Sequence, residues 1–144
     1  MSREKILVSA CLLGVNCKYN GKNNKNEKLI NYLKDKEVIP ICPEIYGGLQ
    51  TPRNPAEIIE NEVITIDNKN VTLEYIKGAK ETLFIAQLFN VKKAILKAKS
   101  PSCGNNETYD GTFSKKIVNR PGITAKLLLE NGIKVINEEE IFKN

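Results

Sequence analysis

The sequence predicts an α/β fold with a mostly parallel sheet and a small β-excursion, on three observations. The chain has 144 residues, 16.1 kDa, enough for one domain whose core hides roughly 70% of the unfolded-chain surface and too few for a second large one. Residues 1–144 are therefore read as a single domain. Hydrophobic residues make up 41% and charged residues 27%, with mean hydropathy -0.33, which is the composition of an ordinary globular chain and not of a disordered or fibrous one. Short β-like runs also alternate with longer stretches of helical period, the pattern of parallel strands joined by helices.

The first strand is predicted at Ile6 to Ala10, followed by an Asn-rich polar loop. A helix follows over Glu27 to Lys36, with Leu29, Ile30 and Leu33 on one face. Val38 to Ile41 is a strand at an edge or an end, because Pro40 has no N–H to give to a ladder. Glu57 to Val71 is the β-excursion, with Val63, Ile64 and Ile66 leading into the turn residues Asp67 to Asn70. Thr72 is the expected N-cap of the longest helix, running to Phe89 with Ile76, Ala79, Leu83 and Ala86 at helical spacing. Strand Ala94 to Ala98 leads into a loop through Thr112. Pro121 is expected to open a third helix that stops at Asn131-Gly132, before a last strand at Lys134 to Ile136.

Composition then limits the chemistry. The chain has no histidine, so Ser-His and Cys-His pairs, His-ligated zinc and imidazole acid–base catalysis are excluded. The apolar run after Lys5 is far shorter than a signal-peptide core, and no run approaches the ~20 residues of a membrane span, so the expected location is cytoplasmic. In a reducing compartment four cysteines point to metal ligation, catalysis or burial before disulfides. The net charge of +5 and pI near 9.0 favour anionic ligands. The lysines are spread along the chain and not gathered into a stripe, which argues against nucleic acid.

Cys11 follows the first predicted strand, Cys42 ends the second, and Cys103 lies in the loop after the Ala94 strand. If the strands are parallel, all three thiols stand at carboxyl ends, where open α/β sheets build their ligand crevice. Cys17 lies in the loop after the first strand, near the same crevice. There is no C-x-x-C pair for a zinc knuckle and no contiguous ferredoxin-type run. Spacing alone leaves a metal or cluster site, a reactive thiol and structural cysteines all open.

Five loop segments surround these thiols: Ser9-Ala-Cys-Leu-Leu-Gly14, Cys42-Pro-Glu-Ile-Tyr-Gly-Gly48, Thr51-Pro-Arg53, Ser100-Pro-Ser-Cys-Gly104 and Tyr109-Asp-Gly-Thr-Phe113. Gly47, Gly48 and Gly104 are expected to let backbone approach a ligand, while Pro43, Pro52 and Pro101 stiffen the adjoining turns. All five match, in order, motifs of the thiouracil desulfurases, and the sequence resembles that family over essentially its whole length. With the alternation above, the expectation is a three-layer Rossmann-like domain.

The resemblance implies a [4Fe-4S] cluster held by only three cysteines, here Cys11, Cys42 and Cys103, with one open iron that accepts the sulfur of a thiolated pyrimidine. The products are the uracil compound and hydrosulfide. Cys17 matches a cysteine that often recurs in the family and is assigned a place either behind the cluster ligands or near the substrate. Asn20, Gln50 and Lys99 depart from the family's common Asp, Pro and Arg, and bear on substrate contacts and not on the cluster.

An open iron is a soft Lewis acid that prefers a thiocarbonyl sulfur to a carbonyl oxygen. A carboxylate must then take a proton from the attacking water, and Glu44, two residues after Cys42, is the nearest in sequence. Ser102 is the candidate to hydrogen-bond the pyrimidine or relay the proton, with Ser100 the weaker choice, and Asp110 to orient its loop or act as a second carboxylate. Arg53 and Lys99 are candidates for a substrate phosphate. The expected partner is thus a small thiolated pyrimidine, as free base or nucleotide. The alternatives are a non-catalytic zinc- or nucleotide-binding module and a sulfur carrier forming a persulfide on Cys17 or Cys103.

Overall fold

A computed structural model of the protein describes residues 3–143. Strand β1 (Lys5–Ser9) runs into a 3-10 turn over Ala10–Leu13, then come α1 (Glu27–Tyr32), β2 (Glu37–Ile41) and the one-turn helix α2 (Pro43–Tyr46). The hairpin β3 (Ala56–Ile59) and β4 (Glu62–Thr65) precedes the long helix α3 (Thr72–Leu88) and β5 (Lys93–Leu96). A second, very short hairpin, β6 (Thr108–Tyr109) and β7 (Ile117–Val118), leads to α4 (Ile123–Glu130) and β8 (Lys134–Asn137).

The main sheet is wholly parallel, in the order β2-β1-β5-β8. Alternation along each strand feeds two cores, as a parallel sheet covered on both faces requires. Leu7, Ala94, Leu96 and Val135 face Ala86 of α3 and Ala125 and Leu128 of α4. Ile6, Val8 and Ile95 face Leu29 of α1 and Leu33 just after it. The result is the expected three-layer, Rossmann-like α/β arrangement. The β3–β4 excursion has a small core of its own, in which Ile58 and Val63 pack on Val71 and Tyr75. No helix among the described residues is long and apolar enough to cross a membrane.

Pro40 stands in β2, which is an edge strand as its proline predicts. Other boundaries differ from the sequence reading. β1 stops at Ser9 because residues 10–13 coil into the 3-10 turn, closed by Gly14 at φ 106°. α1 gives way at Leu33 to a further 3-10 turn. Thr72 is not the N-cap of α3; Val71 is, and the Thr72 hydroxyl instead accepts the Val63 N–H at 2.8 Å, tying the helix to β4. Pro121 does not open α4, which starts at Ile123 after Gly122.

Two glycines set how α2 sits. A Cβ on Gly47 would lie 1.9 Å from the Glu74 carbonyl oxygen, and one on Gly78 would lie 1.9 Å from the Pro43 carbonyl oxygen. Backbone therefore packs on backbone where α2 meets α3. Gly47 serves this helix contact and not the ligand approach expected of it, and Gly104 likewise packs against the carbonyls of Glu107 and Ser100.

Candidate functional site

The sheet order reverses direction at β1: β2 lies on one side of it and β5 on the other. Open α/β sheets form their crevice at such a point, beyond the carboxyl ends of the strands. Here it holds a cavity of about 430 Å³. Cys11, Cys17, Cys42 and Cys103 all line it, together with Glu44, Arg53 and Ser100. All four cysteines are free thiols.

Each thiol arrives by its own route. Cys11 sits in the 3-10 turn after β1, on the side of the α1 core, and accepts a hydrogen bond from Asn24 Nδ2 at 3.5 Å. Cys103 belongs to the core on the other face and accepts from Ser9 Oγ at 3.5 Å. Ser100 Oγ fixes the Cys103 turn by accepting the N–H groups of Ser102 and Cys103 at 3.1 and 3.0 Å. Cys42 follows β2 and is the residue on which α2 begins. Cys17 is buried, and its carbonyl accepts Arg53 Nη2 at 3.0 Å.

Burial pushes the Cys103 and Cys11 thiols above their ordinary range, and the charges of Glu44 and the neighbouring cysteines add to the shift. Cys42 goes the other way: a hydrogen bond from the Cys17 thiol holds it down, while Cys17 itself is raised by that same bond. Cys42 Sγ also lies 4.0 Å from the Cys17 carbonyl oxygen, so the two residues are direct neighbours in the cavity wall.

Beside the thiols, Arg53 Nη2 meets Glu44 Oε2 at 3.1 Å, with side chains only 10% and 16% exposed. Tyr75 OH donates to the same oxygen at 3.5 Å. Arg53 Nη1 is anchored on Gln50 O and Thr51 Oγ1 at 3.2 and 3.1 Å. Both recorded contacts of the carboxylate fall on Oε2, which leaves Oε1 the less engaged oxygen.

Two predicted site residues do not line the cavity. Ser102 is 1% exposed, and its hydroxyl pairs with Thr124 Oγ1 at 2.8 Å, fastening the Cys103 loop to α4. The Asp110 carboxylate accepts the Thr112 N–H and hydroxyl at 2.9 and 2.6 Å, and these bonds hold its pKa below the usual range. Its neighbours Tyr109, Phe113 and Lys115 do form the cavity wall. Residues singled out for no role by sequence also matter. Glu57, 8% exposed, holds that wall by accepting the Gly111 and Phe113 N–H groups at 2.9 and 3.1 Å. Lys18, Lys97 and Lys115 line the cavity beside the two expected phosphate candidates, Arg53 and Lys99, against the carboxylates of Glu44 and Glu57.

The donor set fits an iron–sulfur cluster. Thiols from three strand ends share one cavity, and two of them have side-chain donors aimed at sulfur, the kind of bond that tunes such clusters. Among the described residues no three His, Cys, Asp or Glu side chains gather as a single ion needs. A lone tetrahedral ion draws its thiolates to about 2.3 Å, whereas a cluster gives each thiolate its own iron and takes a wider set.

Residues 6–140 match the family described as 2-thiouracil desulfurase. The chain is 42% identical over 146 residues to the Bacillus subtilis (strain 168) protein YbbK, described as uncharacterized, with 94% of this chain and 97% of that one covered. It is similar to the solved structure of a protein titled [4Fe-4S]-dependent thiouracil desulfidase TudS, with TM-score 0.90 and 37% identity over 96% of this chain and 93% of that one. With nearly its whole length matched by sequence, motif and fold, the chain belongs to the 2-thiouracil desulfurase family.

Proposed function

We propose that this protein is a [4Fe-4S]-dependent desulfurase that converts a thiolated pyrimidine and water to the uracil compound and hydrosulfide. The observation that carries this reading is the convergence of Cys11, Cys42 and Cys103 on one cavity beside the Glu44–Arg53 pair. These three cysteines would hold the cluster, and Cys17 would stay outside it as the hydrogen-bond donor to Cys42. When bound, the cluster supplies an open iron, a Lewis acid matched to a thiocarbonyl sulfur.

The chain's own residues do the rest. Arg53 and Tyr75 hold Glu44 by Oε2, so that Oε1 takes the proton of the attacking water. Ser9 and Asn24 donate to the sulfurs of Cys103 and Cys11 and fix where those thiolates stand. The apolar wall of Tyr109 and Phe113 suits a flat pyrimidine ring. The lysines along the cavity give a phosphorylated thiouridine a place for its charge, so a nucleotide is favoured over the free base.

The test is anaerobic purification or reconstitution, followed by iron and acid-labile sulfide analysis and hydrosulfide release from 2-thiouracil, 4-thiouracil and their nucleotides. A brown, iron-loaded protein that releases hydrosulfide is expected. Colourless protein carrying zinc would favour a non-catalytic module, and metal-free persulfide would favour a sulfur carrier.

A further inference from the structure

Glu44 and Glu57 are the two carboxylates that line the cavity. Glu57 stands in β3, where Ile58 enters the core of the excursion and strand alternation turns Glu57 to the opposite face, onto the cavity wall. It is 8% exposed, yet it joins none of the salt bridges among the described residues. A buried carboxylate without a cation has to be satisfied by hydrogen bonds. Both of those it has fall on Oε1, from the N–H groups of Gly111 and Phe113 at 2.9 and 3.1 Å. Oε2 has none. Among the described residues the only sealed side-chain nitrogen or oxygen without a partner is Arg120 Nε, so Oε2 opens on free space, and the space that Glu57 borders is the cavity.

The engaged oxygen shapes the wall. Phe113 lies at φ 57°, a left-handed conformation that a bulky residue keeps only where its surroundings impose it. The Glu57 bond to the Phe113 N–H holds that turn, with the Phe113 side chain in the wall beside Tyr109. We propose that Glu57 is a specificity-determining residue of this cavity: Oε1 sets the aromatic wall, and Oε2 accepts a hydrogen bond from the ring N3–H or a ribose hydroxyl of a thiolated pyrimidine nucleotide. This rests on the pyrimidine reading of the cavity given above. An ionised carboxylate is an acceptor only, so it has nothing to give a phosphate oxygen or a thiocarbonyl sulfur. It matches the substrate's donors, and an acidic side chain reads ribose hydroxyls in the same way in dinucleotide-binding folds. Glu44 does not duplicate this role, because Arg53 and Tyr75 occupy its Oε2 and its Oε1 is kept for the attacking water.

Glutamine separates the two halves of Glu57. Its carbonyl oxygen can stand in for Oε1, but its NH2 cannot, because Gly111 and Phe113 both present N–H groups there. The NH2 therefore falls at Oε2 and puts a donor where an acceptor stood.

The experiment is equilibrium dialysis of the anaerobically prepared, cluster-loaded protein with three probes that carry the product ring: uridine 5′-monophosphate, its N3-methyl derivative and its 2′,3′-dideoxy form. Glu57→Gln is expected to weaken uridine 5′-monophosphate binding by about tenfold or more, a factor equal to 1.4 kcal/mol. The probe that lacks the donor read by Glu57 is expected to bind the unmodified protein correspondingly less well, and to lose nothing further in Glu57→Gln. Iron per chain and deuterium uptake over residues 110–116 are expected to match the unmodified protein. The proposal is overturned if Glu57→Gln binds uridine 5′-monophosphate as tightly as before, or weakens all three probes by one factor. Weaker binding accompanied by faster deuterium uptake over residues 110–116 also overturns it, since Glu57 would then act on the loop alone. If the unmodified protein bound none of the probes, the pyrimidine reading would fall and this inference with it, a result distinct from the other three.

Discussion

Ser9 Oγ donates to Cys103 Sγ at 3.5 Å and accepts the Lys97 N–H at 3.0 Å, so one hydroxyl at the end of β1 ties a thiol 94 positions away to the strand end beside it. It is 3% exposed. Ser9→Ala leaves the Lys97 N–H without its acceptor, and an unsatisfied buried group costs about 1–3 kcal/mol. The apo protein is expected to lose stability in that range in urea titration. An unchanged midpoint would mean that Ser9 does not hold this strand end.

Cys17 lines the same cavity as the three strand-end cysteines, yet it is proposed to act by hydrogen bonding to Cys42. Iron per chain separates the roles. Cys11→Ala, Cys42→Ala and Cys103→Ala are each expected to purify without a full cluster, and Cys17→Ala to retain it. If Cys17→Ala also came out free of iron, all four cysteines would be ligands and no iron would stay open.

Much of this arrangement is legible in the chain, for physical reasons that also mark the boundary. The apolar runs at Ile6, Val38, Ala94 and Lys134 give the sheet, and parallel connection puts whatever follows them at one edge, which is why the positions of Cys11, Cys42 and Cys103 suffice to locate the cavity. A four-residue helix such as α2 is barely one turn and shows no period, and the two-residue strands β6 and β7 show no alternation. Partner choice is harder still. The Ser100 bond to the Cys103 N–H is a local turn bond within the Ser100-Pro-Ser-Cys-Gly104 segment, but nothing there says that Ser102 will face Thr124, because that partner depends on how α4 packs. Gly47 reads as a glycine near a ligand, and only the fold shows that the backbone approaching it is α3.

Gly78 sits inside α3, where helix propensity alone favours alanine by roughly 0.8–1.0 kcal/mol. Packing opposes it, since a Cβ there would stand 1.9 Å from the Pro43 carbonyl oxygen, and backbone cannot yield as a flexible side chain does. Overpacking typically costs about 1–3 kcal/mol, so the clash outweighs the propensity. Gly78→Ala is expected to lower the urea midpoint of the apo protein and to displace α2, lowering activity as well. A more stable Gly78→Ala protein would show that α2 and α3 are not in backbone contact.

Glu44 is the proposed proton acceptor, and its setting makes a sharp test possible. Glutamine keeps its size and its acceptor toward Tyr75 but cannot take a proton from water, and losing a general base lowers rates by about 10² to 10⁴. Glu44→Gln is therefore expected to retain iron and substrate binding while turnover falls by that factor. Arg53→Gln removes the 3.1 Å anchor but leaves the carboxylate in place, so it should reduce turnover less, again with iron retained. Hydrosulfide release under saturating substrate, set beside iron content, measures both. If Glu44→Gln released hydrosulfide at the unmodified rate, the proton would have to leave by bulk water or another cavity group, and the Arg53–Tyr75 clamp on Oε2 would serve only to satisfy a half-buried charge.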